Sequence, residues 1–302
     1  MPSEKECFKV VYVPLQFDEE SVKESWGKIA PGYNNSKLYK EEDLTILAAK
    51  RQKGFTNFWN IGGNPESRVA FKGPGSEEEV FFEGNWIEDD KIACGYPSIG
   101  KICNSYWYTL SQLSQDHSVI IVNLMAERDV PSYGQFLPGE EGLNVGEEGL
   151  SIQGACDRWG AALKLQEMKK DNEWSEMKVG LNGKTFKVFH YGEWIDFNDG
   201  NLGAVSELIK AVYGEMKSGG VVVANCRAGV GRTGTFLTAL HFYQMIQKGE
   251  LDPEKYTLES IVTTLNSFRE RRGDVQFVQT DKQFVMLLTL IQKFYKEAID
   301  LQ

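Results

Sequence analysis

The stretch that decides the fold is residues 221–236, which read Val-Val-Val-Ala-Asn-Cys-Arg-Ala-Gly-Val-Gly-Arg-Thr-Gly-Thr-Phe. Val221 to Ala224 form a continuous apolar run behind a pair of glycines, a pattern typical of a strand buried on both faces. From Thr235 to Lys248 the apolar residues recur at helical spacing. The stretch therefore predicts a buried strand, a tight loop and a helix.

The loop in this stretch favours an oxyanion ligand. A glycine-rich turn that enters a helix directs backbone N–H groups inward, and the helix dipole adds partial positive charge. The guanidinium of Arg232 can donate N–H groups to two phosphate oxygens at once, which a lysine cannot do. We therefore expect a phosphate cradle made by Arg232 and the residues before it, which are Arg227, Ala228, Gly229, Val230 and Gly231.

The same field acts on the thiol of Cys226. A thiol at a helix N-terminus beside a guanidinium loses its proton readily and becomes a nucleophilic thiolate. Thr233 can donate its hydroxyl to that sulfur, which eases departure of the thiolate when a phosphocysteine is hydrolysed. A nucleotide-binding P-loop is excluded, because no lysine precedes Thr233. One loop thus combines a nucleophile with a phosphate site.

The spacing Cys, five residues, Arg, Thr resembles the signature of cysteine-dependent phosphatases, and Cys226 to Gly234 resembles its protein-tyrosine phosphatase version. Secreted bacterial virulence phosphatases carry very similar loops. The resemblance covers roughly residues 54–290. It implies an α/β fold with a central twisted mixed β-sheet flanked by helices. It also implies hydrolysis of phosphotyrosine in proteins through a phosphocysteine intermediate, with no metal or organic cofactor.

Two further segments resemble catalytic loops of this family. Residues 193–197, Glu-Trp-Ile-Asp-Phe, are similar to its mobile Trp-Pro-Asp loop, with isoleucine in place of proline. The resemblance makes Asp196 the general acid for the leaving phenolate and later the base for water, with Asp199 as a rival. Residues 279–283 resemble the glutamine loop that orients the hydrolytic water, with Gln279 in that role and Gln283 as its support.

The resemblance also suggests a substrate contact. Residues 54–60 are similar to the phosphotyrosine loop, and Trp59 takes the place of the tyrosine that stacks on the substrate ring, although Phe58 replaces an arginine. A core tryptophan is the alternative interpretation of Trp59.

Two other positions are expected to support the loop. Glu127 follows a predicted strand, Ser118 to Leu124, where the family has a carboxylate that pairs with the loop arginine. A solvated surface charge is the alternative. Asn225 stands where most members have histidine, and its amide can donate a similar hydrogen bond to the loop without adding a charge.

Length and composition limit the class of protein. The 302 residues are 41% hydrophobic, enough for a substantial core. We expect one catalytic domain over residues 1–302, with residues 1–50 as an N-terminal helical extension. A net charge of −10 argues against a general nucleic-acid or anionic-membrane binder, since those surfaces need broad basic patches.

The sequence also bears on compartment and partners. No run of about 18 apolar residues and no cleavable leader are visible, so we expect a cytoplasmic protein without a membrane span. If the protein is exported without a cleaved signal, the host cytosol is the expected location. Five scattered cysteines without a Cys-x-x-Cys pair fit a reducing compartment better than a disulfide or zinc framework. The expected partners are phosphotyrosyl proteins. We expect the chain itself to be a monomer.

Local patterns predict several further elements. Asp18 to Ser21 read as a helix start, residues 41–53 as a second helix, and Asn182-Gly183 as the turn of a β-hairpin. The glycine-rich acidic residues 129–150 predict an exposed, mobile loop. The arginines at 269–272 are interpreted as solvated charges.

Three other functions compete with the phosphatase. A Cys-His hydrolase would leave Arg232 without a role. A weakly active phosphotyrosine-binding module is suggested by the departures Asn225, Ile195 and Phe58. A phosphoinositide phosphatase is the third, although its loops are usually richer in lysine. The histidines available to the hydrolase are His117, His190 and His241.

Overall fold

In the computed structural model of this chain, the described residues are 17–30, 63–77, 79–98, 101–132, 136–138, 143–145, 161–170, 173–251 and 257–300. Among them the strands are β1 Phe71–Lys72, β2 Glu79–Val80, β3 Gly84–Glu88, β4 Lys91–Cys94, β5 Ser118–Asn123, β6 Leu143–Val145, β7 Ala161–Lys169, β8 Ser175–Leu181, β9 Lys184–His190 and β10 Gly220–Asn225. The α-helices are α1 Glu19–Ile29, α2 Lys101–Leu113, α3 Leu202–Met216, α4 Gly231–Gln247, α5 Leu258–Arg272 and α6 Asp281–Asp300. Short 3₁₀ turns span Pro65–Ser67 and Glu127–Ser132.

The main sheet has eight strands among the described residues, in the order β3-β4-β10-β5-β9-β8-β7-β6. Strands β4, β10, β5 and β9 run parallel to one another, and the outer pairs are antiparallel. Strand β10, which ends just before Cys226, thus has a parallel neighbour on each side. The predicted α/β class with a mixed sheet flanked by helices is confirmed.

The side chains of β10 point alternately to the two faces of the sheet and contribute to two hydrophobic clusters. Val222 and Ala224 face a cluster formed with α3, α4, α5 and α6, whereas Val221 and Val223 face a second cluster formed with α2. Trp107 on α2 is fully buried in that second cluster. Since both faces of the strand are covered, a continuous apolar run is what its sequence requires.

Several local predictions are confirmed. Helix α1 begins after Asp18, whose carboxylate accepts a hydrogen bond from the Ser21 N–H at 2.8 Å. Asn182 and Gly183 join β8 to β9 with φ of 49° and 78°, the left-handed backbone of a tight hairpin turn. The helix predicted at 41–53 lies outside the described residues, and the single-domain assignment stays a prediction.

The acidic stretch 129–150 is only partly the exposed loop that its composition predicts. Phe136 is fully buried, and its ring packs edge-on against Tyr96 and Tyr106. Its carbonyl accepts a hydrogen bond from the indole N–H of Trp107 at 3.1 Å. Strand β6 then adds to the sheet edge. A few apolar residues therefore bind this stretch to the body of the protein.

No helix among the described residues is long and apolar enough to cross a membrane.

Candidate active site

Cys226 lies directly after β10, at the carboxyl end of that central strand, and is 2% exposed. The loop residues 227–230 lead into α4, which begins at Gly231. Gly229 has φ of 71°, and a Cβ there would overlap the carbonyl group of Cys94 on β4. Only glycine fits this position, so the glycine of the motif sets how tightly the loop turns beside the sheet.

Arg272 fixes the outer side of this loop. Its Nε donates to the Gly229 carbonyl at 3.1 Å, and its Nη2 donates to the Ala228 carbonyl at 3.3 Å. Its Nη1 donates to Asn85 Oδ1 at 2.9 Å. Arg272 thus holds two backbone carbonyls of this loop in place.

The interpretation of the arginines at 269–272, in the last turn of α5, as solvated charges is wrong for two of them. Arg272 is 1% exposed and Arg269 is 5% exposed. Arg269 donates to the carbonyls of Phe277 and Val278 at 3.0 and 3.1 Å, and to that of Ile29 at 2.6 Å. Burial lowers the pKa of Arg269 to about 10, still well above neutral pH. These contacts connect the end of α1 to the segment just before Gln279.

Arg232 is fully buried at the start of α4. Its Nη1 donates to the Trp194 carbonyl at 2.7 Å, and its Nη2 lies 3.1 Å from Asp196 Oδ1. The Nη2 contact has the distance of an ion pair without hydrogen-bond geometry. Among the described residues, neither Nε nor Nη2 has a hydrogen-bond acceptor. Two buried N–H donors on one guanidinium suit the forked recognition of a phosphate.

The acid loop is folded over the catalytic loop. Asp196 approaches both loop arginines, since its Oδ2 also lies 3.9 Å from Arg227 Nη1. The side chain of Asp196 is 17% exposed, whereas Asp199 is an exposed residue. The structure therefore brings Asp196, and not its rival Asp199, to the two arginines of the cysteine loop.

Hydrogen bonds fix this loop from both sides. The buried Trp194 donates its indole N–H to the Asn198 carbonyl at 2.9 Å. From the glutamine loop, Thr280 donates to the Phe197 carbonyl at 3.3 Å, and Lys282 Nζ lies 3.4 Å from Asn198 Oδ1. The isoleucine that replaces proline in the motif is compatible with this folded-over arrangement.

Both predicted glutamines reach the start of α4. A Cβ on Gly231 would lie 2.9 Å from Gln279 Oε1 and 3.0 Å from Gln283 Nε2. Gln283 Oε1 accepts the Gln279 N–H at 2.8 Å, and the amide of Gln279 donates to Gln276 at 2.6 Å. Gln276 is a supporting residue that the motif does not include. The pair thus lies beside the first residue of α4.

Asn225 and Thr233 are buried beside the loop. Asn225 donates to Asn123 Oδ1 on β5 at 2.8 Å, and that oxygen also accepts the Met125 N–H. The amide therefore bonds to the neighbouring strand end and not to the cysteine. The hydroxyl of Thr233 has no hydrogen-bond partner among the described residues, so the expected bond to Cys226 is not formed here.

Glu127 is not brought to Arg232. It is exposed at the start of its 3₁₀ turn, where its N–H donates to the Gly192 carbonyl at 3.0 Å. Arg232 pairs with Asp196 instead. Burial lowers the pKa of His190, and the hydrogen bond to the Met125 carbonyl and the charge of Glu127 oppose this shift only in part. Trp59 lies outside the described residues.

The other described thiols have a different environment. Burial raises the pKa of Cys103 to about 12 and also raises the pKa of Cys94. These two thiols stay protonated at neutral pH and are poor nucleophiles.

Two of the three histidines, His241 and His190, form hydrogen bonds with groups other than Cys226. His241 bonds Glu88 at 2.9 Å, and His190 bonds the Met125 carbonyl at 3.2 Å. Neither of these contacts involves Cys226, so they do not support a Cys-His hydrolase.

Comparison with known proteins agrees with this geometry. Residues 57–293 match the protein-tyrosine phosphatase family. The chain is 31% identical to human receptor-type tyrosine-protein phosphatase zeta over 190 residues, 60% of this chain and 8% of that protein. It is 23% identical to mouse tyrosine-protein phosphatase non-receptor type 5 over 277 residues, 87% of this chain and 46% of that protein. The chain thus spans less than half the length of either relative.

These relatives are mammalian, so the resemblance to secreted bacterial phosphatases stays a prediction. The family match covers most of the chain and includes Asp196, Cys226, Arg232 and Gln279. The chain belongs to the protein-tyrosine phosphatase family.

Proposed function

We propose that this chain hydrolyses phosphotyrosine in proteins through a phosphocysteine intermediate. The observation that carries the proposal is the convergence of Cys226, Arg232 and Asp196 from two loops onto the start of α4. The buried N–H donors of Arg232 supply charge where the equatorial phosphate oxygens would lie.

In the first step the Cys226 thiolate attacks phosphorus and the bond from phosphorus to the tyrosine oxygen breaks. The phenolate that leaves takes a proton from the carboxylic acid of Asp196. The products of this step are phosphocysteine, a free tyrosine side chain and an ionised Asp196. The folded-over loop supports this role because it brings Asp196 to the loop that carries Cys226, as its contacts with Arg227 and Arg232 indicate.

In the second step water attacks the phosphocysteine and gives its proton to Asp196, which restores the acid. The bond from sulfur to phosphorus breaks, and inorganic phosphate and the thiolate are released. Gln279 and Gln283 lie near Gly231, in a position to orient that water. The buried hydroxyl of Thr233 can donate to the departing sulfur after a rotation of its O–H.

The test is a comparison of substrates. Purified chain should hydrolyse a phosphotyrosyl peptide much faster than a phosphoseryl peptide of the same sequence, with a chelator present throughout. A phosphoinositide in the same assay tests the lipid alternative. Cys226→Ser should abolish turnover of the phosphotyrosyl peptide while it retains binding of inorganic phosphate. Preference for the phosphoinositide, or full turnover by Cys226→Ser, would contradict the proposal.

A further inference from the structure

The exposed large apolar side chains of the described residues are unevenly distributed. There are four, namely Met168, Ile195, Phe197 and Val285, with exposures of 56%, 38%, 53% and 50%. Ile195 and Phe197 flank Asp196 in the acid loop, and Val285 lies in α6 just after the glutamine loop. Exposed apolar surface concentrated at one place marks an interaction site more often than scattered residues do.

The acid loop and the start of α6 form one continuous rim. Thr280 donates to the Phe197 carbonyl at 3.3 Å, and Lys282 Nζ lies 3.4 Å from Asn198 Oδ1. On the inner side, Met286 Sδ accepts the Gly200 N–H at 3.3 Å. Val285 is half exposed and lies in the first turns of α6, three residues after Lys282. We call Ile195, Phe197 and Val285 the apolar rim.

Phe197, one residue of the apolar rim, has a strained backbone conformation. Phe197 has φ of 62°, a left-handed conformation that is unusual for a large side chain. Strained residues of this kind cluster at functional sites, where surrounding contacts hold them in place. Here the bond from Thr280 to the Phe197 carbonyl is one such contact.

We infer that the apolar rim selects phosphotyrosyl segments that carry a bulky apolar residue close to the phosphotyrosine. The inference rests on the proposed function, since a segment whose phosphotyrosine enters the site must lie across its mouth. Adjacent residues are about 3.8 Å apart along the chain, so a neighbour within about two positions reaches a rim that borders Asp196.

The test uses phosphotyrosyl peptides of one sequence that differ by leucine or serine at a single position. Four such peptide pairs are compared, with the varied residue one or two positions before, or one or two positions after, the phosphotyrosine. For at least one position, kcat/KM should be about tenfold higher with leucine, the effect of one apolar side chain in an open contact. Val285→Ser should reduce that ratio about threefold, and Val285→Leu should maintain or raise it.

Met168→Ser is the matched control, because Met168 is equally exposed but lies on β7. It should leave the ratio of leucine to serine peptides unchanged. A ratio near one at every position, or a ratio that Val285→Ser leaves intact, would overturn the inference while the phosphatase proposal stands. Absence of turnover for all phosphotyrosyl peptides would overturn both.

Discussion

Arg232 has an environment unusual for a buried cation. It is fully buried and its ion-pair partner is Asp196, yet among the described residues its Nε and Nη2 have no hydrogen-bond acceptor. Leaving buried donors unsatisfied costs about 1–3 kcal/mol for each group, and more for a charged one. An oxyanion that accepts both N–H groups recovers this cost. The same contacts make Asp196 a competitor for the cation that the phosphate needs.

That competition predicts tighter anion binding when the Asp196 charge is removed. Asp196→Asn should lower the dissociation constant for tungstate about tenfold or more, because a carboxylate about 3 Å from the guanidinium opposes a second anion. Isothermal titration calorimetry measures it directly. Asp199→Asn removes the same charge from an exposed residue and serves as control. Equal affinities for Asp196→Asn and wild type would show that the carboxylate does not compete.

The same variant separates acid catalysis from structure. Asp196→Asn should lower kcat for a phosphotyrosyl peptide about 100-fold or more, since the phenolate then leaves without a proton. For p-nitrophenyl phosphate, whose leaving group is stable as an anion, the loss should be much smaller. Steady-state kinetics on both substrates give the comparison. Losses of equal size would assign Asp196 a structural role.

At the scale of elements, α5 and the segment after it support both catalytic loops. Arg272 binds the outer carbonyls of the cysteine loop, and Arg269 binds carbonyls next to the glutamine loop. Gly273, with φ of 72°, ends the helix directly after Arg272. The two loops therefore depend on one helix end for their shape.

Arg272→Met should weaken both the fold and the site. It leaves the Gly229 and Ala228 carbonyls without this donor, and we expect a loss of about 3–5 kcal/mol in the free energy of unfolding. Urea unfolding measures the loss, and kcat/KM should fall with it. Arg271→Met, at an exposed neighbour, should change stability by less than about 0.5 kcal/mol. Similar effects of the two variants would contradict this role of Arg272.

Features that depend on local sequence signals could be predicted, whereas those that depend on distant contacts could not. The strand, loop and helix around Cys226 were predictable, because apolar periodicity and glycine spacing are local signals. The motif also pointed to Asp196, which lies 3.1 Å from Arg232 Nη2, while its role as the acid stays a prediction. The roles of Arg269 and Arg272 could not be predicted, because a run of arginines looks solvated until distant carbonyl groups are brought to it. Glu127 was placed by the spacing of its motif, but the fold of the acid loop decides which carboxylate reaches Arg232.

At the scale of the whole molecule, a polar network joins the sheet edge to α4. Lys91 is 1% exposed and lies 2.9 Å from Glu88, 2.7 Å from Asp90 and 2.6 Å from Gln244. Glu88 also bonds His241. A buried ammonium group needs this full set of acceptors. The network ties β3 and β4 to the helix that begins at the active site.

This network predicts acid sensitivity. Burial raises the pKa of Glu88, but the His241 hydrogen bond and the Lys91 charge outweigh it and lower the pKa from 4.5 to about 2. A lowered pKa in the folded state means that Glu88 adds stability above pH 4.5, which is lost as the pH falls toward 2. Between pH 7 and pH 3 the stability advantage of wild type over Glu88→Gln should shrink by about 2 kcal/mol. A constant difference would contradict the Glu88 contribution.

The most direct test of the catalytic proposal is capture of the covalent intermediate. The chain is mixed with excess phosphotyrosyl peptide, quenched in acid within one turnover and digested for mass spectrometry. Gln279→Ala, which slows hydrolysis if Gln279 orients the water, should increase the trapped fraction. We predict a phosphoryl group on the sulfur of Cys226, and none in Cys226→Ser. Turnover without a phosphoryl group on Cys226, or a label on another residue, would contradict the phosphocysteine mechanism.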